Sequence, residues 1–117
     1  MHEYSIVQAL IERVAQEAAA HPGAVVRRLE LRVGELAGVE VDLLTTAFET
    51  FREGTCCAQA GLRIERVAVR WECPGCAAPV PPGTMLRCPT CARPARLAAG
   101  DELHLDRIEM EREAPRV

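Results

Sequence analysis

The chain has 117 residues, of which 49% are apolar and 26% are charged, and its formal net charge is −3. This length leaves room for one compact domain with a small appendage, which excludes a multidomain enzyme. The apolar fraction is too high for a disordered protein, and a negative net charge gives little non-specific attraction to nucleic acid.

The N-terminal residues lack the features of a secretory signal. Met1-His2-Glu3-Tyr4 offers no basic segment followed by an apolar one, and no apolar run approaches the length of a membrane span. We therefore expect a cytoplasmic protein with no membrane insertion. In that compartment the cysteines are reduced, which favours metal ligation over disulfide formation.

Two helices and a strand are predicted in the first half of the chain. Apolar residues recur at helical spacing over residues 4–20, and His21-Pro22-Gly23 then ends the helix. Residues 25–33 alternate between apolar and charged side chains, as in a half-buried strand. A second helix is predicted from about Asp42 to Glu53, with Asp42 as its N-cap.

Two further apolar runs, residues 62–71 and 102–111, match each other when they are aligned antiparallel. Apolar residues then face apolar residues, while Glu65 and Arg66 face Arg107 and Asp106. In each run, the alternation of apolar and polar residues also shifts once, by one residue. We expect neighbouring antiparallel strands with a change of buried face near 65–66 and 106–107.

Residues 72–100 differ in composition, because they hold six of the eight prolines and four of the six cysteines. We interpret them as an inserted subdomain, and residues 1–71 together with 101–117 as the main domain. The predicted fold class is α+β. It comprises a small antiparallel or mixed three-stranded sheet with two helices and an inserted zinc-ribbon-like subdomain.

The inserted segment carries two Cys-x2-Cys knuckles, Cys73-Pro74-Gly75-Cys76 and Cys88-Pro89-Thr90-Cys91. Two such turns supply the four thiolates of a closed tetrahedral Zn²⁺ site, and metal binding would drive the folding of so short a segment. Two disulfides or a mononuclear iron are the alternatives. A closed site leaves no position for substrate, so we expect a structural or regulatory role.

Cys56 and Cys57 are adjacent and lie far along the chain from the knuckles. Neighbouring residues cannot readily join a tetrahedral site with them, so packing in the turn after the second helix is the simpler interpretation. A redox or metal-scavenging role is the alternative.

The imidazole of His2 lies one residue from the α-amine. Amine, intervening amide nitrogen and imidazole can form adjacent chelate rings of the nitrogen-rich kind that Ni²⁺ and Cu²⁺ favour. Glu3 and a carboxylate from elsewhere could complete this set. A histidine at position 2 is more often an ordinary terminal residue, and we interpret His21 and His104 as solvent-facing.

Several segments together resemble the HypA/HybF hydrogenase nickel-insertion family. They are the opening Met1-His2-Glu3-Tyr4-Ser5-Ile6, Gly34-Glu35-Leu36-Ala37-Gly38-Val39, Ala47-Phe48-Glu49 and the two knuckles in this order. The resemblance covers essentially the whole chain. It implies a nickel metallochaperone that is not an enzyme, with an α/β nickel domain and an inserted zinc subdomain.

The resemblance also implies site residues and partners. His2 would be the essential nickel ligand, joined by the Met1 amine and the backbone nitrogens of His2 and Glu3. An acidic residue of the family falls at Glu40. Cys73, Cys76, Cys88 and Cys91 would bind structural zinc whose state is coupled to nickel binding. The partners would be the GTPase HypB and the large subunit of nickel–iron hydrogenase, with urease in some members. The sequence leaves a homodimer open.

Two other functions compete with this one. A zinc ribbon that binds nucleic acid or protein would explain the knuckles, although residues 72–100 carry only three arginines against Glu72, and Trp71 is the only nearby aromatic residue. A metalloenzyme would need an open zinc site or a catalytic motif, and the sequence shows neither.

Overall fold

The computed structural model describes residues 3–83 and 85–112, which form two helices and five strands. In chain order they are α1 (Glu3–Ala19), β1 (Ala24–Gly34), α2 (Val41–Phe51), β2 (Gly61–Val67), β3 (Arg70–Glu72), β4 (Arg96–Ala99) and β5 (Leu103–Arg112). In this part of the chain, neither helix is both long and apolar enough to cross a membrane.

A three-stranded mixed sheet forms the main body, with β1 in the centre. β2 pairs parallel with β1 on one side and β5 pairs antiparallel with it on the other. β3 and β4 form a separate two-stranded antiparallel sheet. Two helices, a mixed three-stranded sheet and a small unit that carries the knuckles confirm the predicted fold class.

The predicted pairing of residues 62–71 with 102–111 is wrong, because β1 lies between β2 and β5. Glu65 and Arg66 therefore do not face Arg107 and Asp106. Each run matches the other because each matches β1. The connection from β1 to β2 contains α2. A helical crossover of this kind joins parallel strands, and it makes β1 the neighbour of β2.

Residues 62–71, which were predicted as one strand, contribute to two strands in different sheets. Gly61–Val67 is β2 in the large sheet, whereas Arg70–Glu72 is β3 and pairs with β4. The change of phase predicted near 106–107 is present in β5. There Leu105 and Arg107 face consecutive residues of β1, so that Asp106 is the extra residue of a β-bulge. β2 keeps a regular register with β1 to its end.

The core lies between the helices and one face of the large sheet. The predicted apolar face of α1 is confirmed, since Val7, Leu10 and Val14 are buried. α2 contributes Leu44 and Phe48 to the same cluster. The centre of the sheet is the most deeply buried strand, with 4% or less exposure at Val26, Leu29, Leu31 and Val33.

The predicted N-cap of the second helix is wrong. Glu40, not Asp42, occupies the N-cap position, and its side chain makes no capping hydrogen bond. Its carbonyl accepts the first helical bond from the Leu44 N–H at 2.9 Å. Asp42 lies in the first turn, where a carboxylate is also favoured by the helix dipole, so the two positions are hard to distinguish from sequence.

The opposite face of the sheet carries ion pairs that link all three strands. Arg32 contacts Asp106 at 2.5 Å, Arg28 contacts Glu109 at 2.9 Å, and a longer pair of 3.7 Å joins Arg63 to Glu30. The charged residues of β1 therefore form ion pairs with both β2 and β5 on this face. The apolar face of the sheet packs against the helices.

Candidate metal centre

The two knuckles bring four thiols together in the small unit. The sulfurs of Cys73, Cys76, Cys88 and Cys91 all lie within 4.8 Å of one another, and the sulfurs of Cys76 and Cys88 are 3.7 Å apart. Cys73 and Cys88 are buried, whereas Cys76 and Cys91 lie nearer the surface. Among the residues that the structure describes, this is the one group of three or more close metal-ligating side chains.

Each knuckle is held by the same pattern of backbone hydrogen bonds. In the first, the Ala77 N–H donates to the Cys73 carbonyl at 2.9 Å; in the second, the Ala92 N–H donates to the Cys88 carbonyl at 2.8 Å. Ala77 and Ala92 both adopt a positive φ, 60° and 53° respectively. This left-handed residue turns the chain back just after the second cysteine, so that both sulfurs of a knuckle point to the same side.

The similarity extends to two short hairpins, residues 71–80 and 86–95. Val80 donates to the Trp71 carbonyl at 2.9 Å, and Ala95 donates to the Leu86 carbonyl at 2.7 Å. The motif Cys-Pro-x-Cys-Ala-x-Pro occurs in both. The two Cys-Pro-x-Cys knuckles were predicted from the sequence. The Ala and second Pro that follow each knuckle are a further sequence signal that the two segments fold alike.

Backbone N–H groups donate hydrogen bonds to the sulfurs of the two buried cysteines. The Gly75 N–H lies 3.4 Å from the sulfur of Cys73, and the Cys91 N–H lies 3.4 Å from that of Cys88. Backbone donation, first from Cys76 and also from Gly75, lowers the pKa of Cys73 to about 7. Backbone N–H groups that stabilise a thiolate in this way prepare it to act as a metal ligand.

The close approach of the four sulfurs opposes the loss of a proton from Cys91. The pKa of Cys91 is raised to about 12, first by the hydrogen bond between its sulfur and that of Cys76 and then by the one with Cys73. The neighbouring sulfurs therefore oppose the ionisation of Cys91 when no cation is bound. A divalent cation that prefers sulfur in a tetrahedral arrangement counters this effect, so the donor set fits a structural metal site.

The small unit is joined to the large sheet through a close glycine contact. A β-carbon at Gly34 would lie 2.1 Å from the Gly100 carbonyl oxygen, and one at Gly100 would lie 2.7 Å from the Val69 Cα. The Leu36 N–H donates to the Gly100 carbonyl at 2.7 Å. The turn after β1 therefore contacts both chain segments that lead into the small unit.

Two carboxylates complete this junction. The Glu35 carboxylate accepts a hydrogen bond from the Val69 N–H at 3.0 Å, and the Glu102 carboxylate accepts one from the Gly100 N–H at 2.5 Å. The bond from Gly100 is the main cause that lowers the pKa of Glu102 from its ordinary value. Glu35, which the sequence analysis quoted as part of a motif, thus has a local role at the junction.

The residues predicted to bind nickel are only partly described. Met1 and His2 lie outside the described residues, while Glu3 begins α1 and Glu40 immediately precedes α2. The Tyr4 and Phe51 rings pack edge to face with 5.1 Å between their centroids, which places the start of α1 beside the end of α2. Glu40 is at the other end of α2, about 16 Å along its axis. The assignments of Met1, His2, Glu3 and Glu40 stay predictions.

The other singled-out residues have simpler surroundings. His21 and His104 are exposed, as predicted. The sulfurs of Cys56 and Cys57 are 3.9 Å apart. Cys57 packs in the core, and its burial raises its pKa to about 12, which makes it a poor nucleophile. Packing after the second helix is thus confirmed for Cys57 but not for Cys56, which is exposed.

Comparison with known proteins gives one consistent family. Residues 1–110 match the family model described as HypA, hydrogenase/urease nickel incorporation, metallochaperone. A hydrogenase maturation factor HypA from Wolinella succinogenes is 39% identical over 116 residues, which cover 97% of this chain and 98% of the relative.

Two solved structures share the fold over nearly the full length. A solution structure of a HypA protein has a TM-score of 0.72 at 33% identity and covers 97% of this chain and 98% of its own. That of the Ni metallochaperone HypA from Helicobacter pylori has a TM-score of 0.66 at 33% identity and covers 97% of this chain and all of its own. Sequence, fold and the four-cysteine group agree, and this chain belongs to the HypA family of nickel metallochaperones for hydrogenase and urease maturation.

Proposed function

We propose that this protein binds Ni²⁺ through its N-terminal residues and delivers it to the large subunit of nickel–iron hydrogenase during maturation. The observation that carries the proposal is the family match over residues 1–110, which includes the opening Met1-His2-Glu3. Nickel is cargo that is bound and released, so the function requires no catalytic step.

The chemistry of the first residues suits this task. The Met1 amine, the backbone nitrogens of His2 and Glu3, and the His2 imidazole form the nitrogen-rich set that Ni²⁺ favours. Glu3 is the first residue of α1 and is only partly buried. A site at a chain terminus can open readily, which allows transfer to a recipient. Glu40 is the candidate for an additional acidic ligand.

We assign Zn²⁺ to Cys73, Cys76, Cys88 and Cys91 as a structural ion. The close packing of their sulfurs and the two backbone donors to sulfur support this assignment. The ion would stabilise the small unit, while the Glu35 carboxylate and the Gly100 backbone connect that unit to the nickel domain. The proposed partners are a HypB-type GTPase and the hydrogenase large subunit, and urease accessory proteins where urease is the recipient.

The first experiment measures nickel binding to zinc-replete protein with its native N-terminus, by calorimetry and visible absorption. Three variants accompany it: His2→Ala, a version extended at the N-terminus, and His21→Ala as the matched control at an exposed histidine. We expect one nickel per chain at micromolar or tighter affinity, lost in the first two variants and retained in the control. Nickel binding that is unchanged in both His2→Ala and the extended version would place the cargo elsewhere.

A second experiment tests delivery. Nickel-loaded protein is mixed with nickel-free hydrogenase large subunit, with and without the GTPase, and nickel is measured in the separated subunit. We expect transfer from the parent protein and from His21→Ala, and none from His2→Ala above the level given by free nickel. Transfer that equals the free-nickel control for every protein would refute delivery while leaving the binding result intact.

A further inference from the structure

Cys56 and Cys57 lie outside the group of four thiols, and the proposed function does not use them. They belong to the turn that connects α2 with β2, and their sulfurs are 3.9 Å apart. Adjacent side chains in an extended segment point to opposite faces. It is therefore the conformation of this turn that brings the two thiols to the same side of the chain.

Hydrogen bonds hold the turn on both sides of the two cysteines. The Thr55 hydroxyl donates to the Arg52 carbonyl at 2.6 Å and accepts from the Cys57 N–H at 3.1 Å. The Arg52 guanidinium donates to the Ala60 carbonyl at 2.8 Å, and the Ala60 N–H donates to the Cys57 carbonyl at 3.0 Å. The turn is thus tied to the end of α2, which keeps the two sulfurs close to each other.

The two thiols have opposite surroundings. Cys56 is exposed, whereas Cys57 is fully buried in the core cluster that also contains Phe48 and Ala60. Burial, followed by the neighbouring Cys56, raises the pKa of Cys57, so Cys57 keeps its proton at neutral pH. A thiol-reactive compound in solution can therefore reach Cys56 first.

We propose that Cys56 and Cys57 form a reversible modification site, at which a low-molecular-weight disulfide converts the two thiols into a disulfide between adjacent residues. The Cys56 thiolate attacks one sulfur of the reagent and forms a mixed disulfide, and the released half takes up the proton that Cys56 lost. Cys57 then attacks the sulfur of Cys56, and its proton passes to the departing second half. The protein loses two electrons and two protons, and the reagent is reduced to two thiols.

The second step is possible although Cys57 is buried, because its target is the neighbouring sulfur. The two sulfurs must approach from 3.9 Å to about 2.05 Å, the length of a disulfide bond. A mixed disulfide at Cys56 carries no thiolate charge and no S–H group, which removes two of the three causes that raise the pKa of Cys57. Burial still opposes ionisation of Cys57, so we expect this step to be the slower one.

A disulfide at this position should be easy to reduce. The Cα atoms of adjacent residues are about 3.8 Å apart, which is shorter than the separation of about 4.4–6.8 Å in ordinary disulfides. To form the bond, either the Cys57 sulfur leaves the core or the Cys56 sulfur enters it, and both changes disturb close packing. Strained disulfides have the more oxidising potentials of labile sites, so excess thiol should reverse the reaction.

The sequence allows this site to be followed separately from the metal cluster. Cleavage after arginine gives a peptide of residues 53–63 that contains Cys56 and Cys57 and no other cysteine. Metal-replete protein is incubated with glutathione disulfide, free thiols are then alkylated, and the peptides are analysed by mass spectrometry. We expect peptide 53–63 to be lighter by two hydrogens and not alkylated. The peptide of residues 71–87, with Cys73 and Cys76, is the internal control and should be alkylated twice.

Single variants separate the two steps. Cys57→Ser and Cys57→Ala should stop at a stable glutathione adduct on Cys56, and the use of both guards against one that does not fold. Cys56→Ser, at an exposed position, should leave Cys57 without an adduct because the remaining thiol is buried. Circular dichroism confirms that each variant is folded. A parent that keeps both thiols in peptide 53–63, or that stops at the adduct, would overturn the proposal.

The last measurement tests reversibility and the disturbance of the core. Excess reduced glutathione should restore two alkylatable thiols in peptide 53–63. The oxidised protein should unfold at a lower urea concentration than the reduced protein, as measured by the circular dichroism of the helices. A disulfide that excess thiol does not reduce, or an oxidised protein as stable as the reduced one, would contradict a labile site at the edge of the core.

Discussion

At the junction between the two sheets, close backbone contacts restrict which residues can occupy two positions. Gly34 and Gly100 approach so closely that neither can carry a side chain without displacing backbone. The sequence pattern predicts that Gly34 ends a strand, but it does not indicate that Gly100 lies against it. The contact joins residues 66 positions apart, and no local pattern reports on such a distance.

Gly34→Ala should therefore lower stability strongly. The new β-carbon would overlap the Gly100 carbonyl, and we expect a loss of about 3 kcal/mol in the free energy of unfolding. Denaturant unfolding of metal-replete protein measures it. Gly54→Ala is the control, because Gly54 has a φ of 75° but no atom near its β-carbon position, which limits the expected cost to about 1 kcal/mol. Equal losses in both variants would show that the close contact is not the cause.

A second prediction at this scale concerns Glu102, whose pKa is lowered chiefly by the hydrogen bond from the Gly100 N–H. When folding lowers the pKa of a carboxyl group, the ionised group stabilises the protein at pH values above its pKa in the unfolded state. This contribution is lost as the pH falls through the pKa of the group in the folded state. Glu102→Gln should therefore be less stable than the parent at pH 7, and the difference should disappear in acid.

Denaturant titrations of both proteins from pH 7 to pH 3 measure this difference. Glu53→Gln, at an exposed glutamate after α2, is the control for the chemical change from Glu to Gln. A difference for Glu102→Gln that stays constant with pH would mean that ionisation at this position does not stabilise the junction.

Sequence patterns predicted the individual elements well but not the arrangement of strands. Both helices and the central strand follow from the spacing of apolar residues, because each has one face against the core. Strand order depends on which faces meet, and the charge pattern of residues 62–71 and 102–111 fitted a wrong neighbour as well as the right one. The intervening helix α2 was the feature that separates the two solutions.

The order of strands leads to unequal costs for the same substitution in adjacent strands. Leu29 in β1 faces Leu62 in β2, but Leu29 is fully buried whereas Leu62 is only partly buried. Leu29→Ala should cost about 3 kcal/mol of stability, and Leu62→Ala about half as much. Denaturant unfolding of the two variants tests this, and a larger cost at Leu62 would contradict the central position of β1.

At the scale of the whole molecule, two apolar clusters of very different size hold the chain together. The larger one fills the space between the helices and the large sheet. In the smaller one, Val80 is the only buried residue among those described that is not a cysteine of the knuckles, and Trp71 and Ala95 pack against it. Cysteine spacing alone predicted that the four thiols lie together, because the geometry of each knuckle is local. How the small unit is attached could not be predicted, since it depends on the distant contacts of Gly34 and Gly100.

Removal of the metal should therefore unfold the small unit and leave the large sheet folded. So small a cluster cannot offset the entropy of ordering residues 71–97 without the free energy of metal binding. Hydrogen exchange measured by mass spectrometry before and after chelation is the test. Peptides from residues 71–97 should lose protection, while those from β1 should keep it. Cys76→Ser should show the exchange pattern of the chelated protein even with zinc present, and Cys56→Ser, at an exposed cysteine outside the cluster, should behave like the parent. Equal loss of protection in β1 would show that the two units unfold together, and protection of residues 71–97 without metal would show that the ion does not hold them.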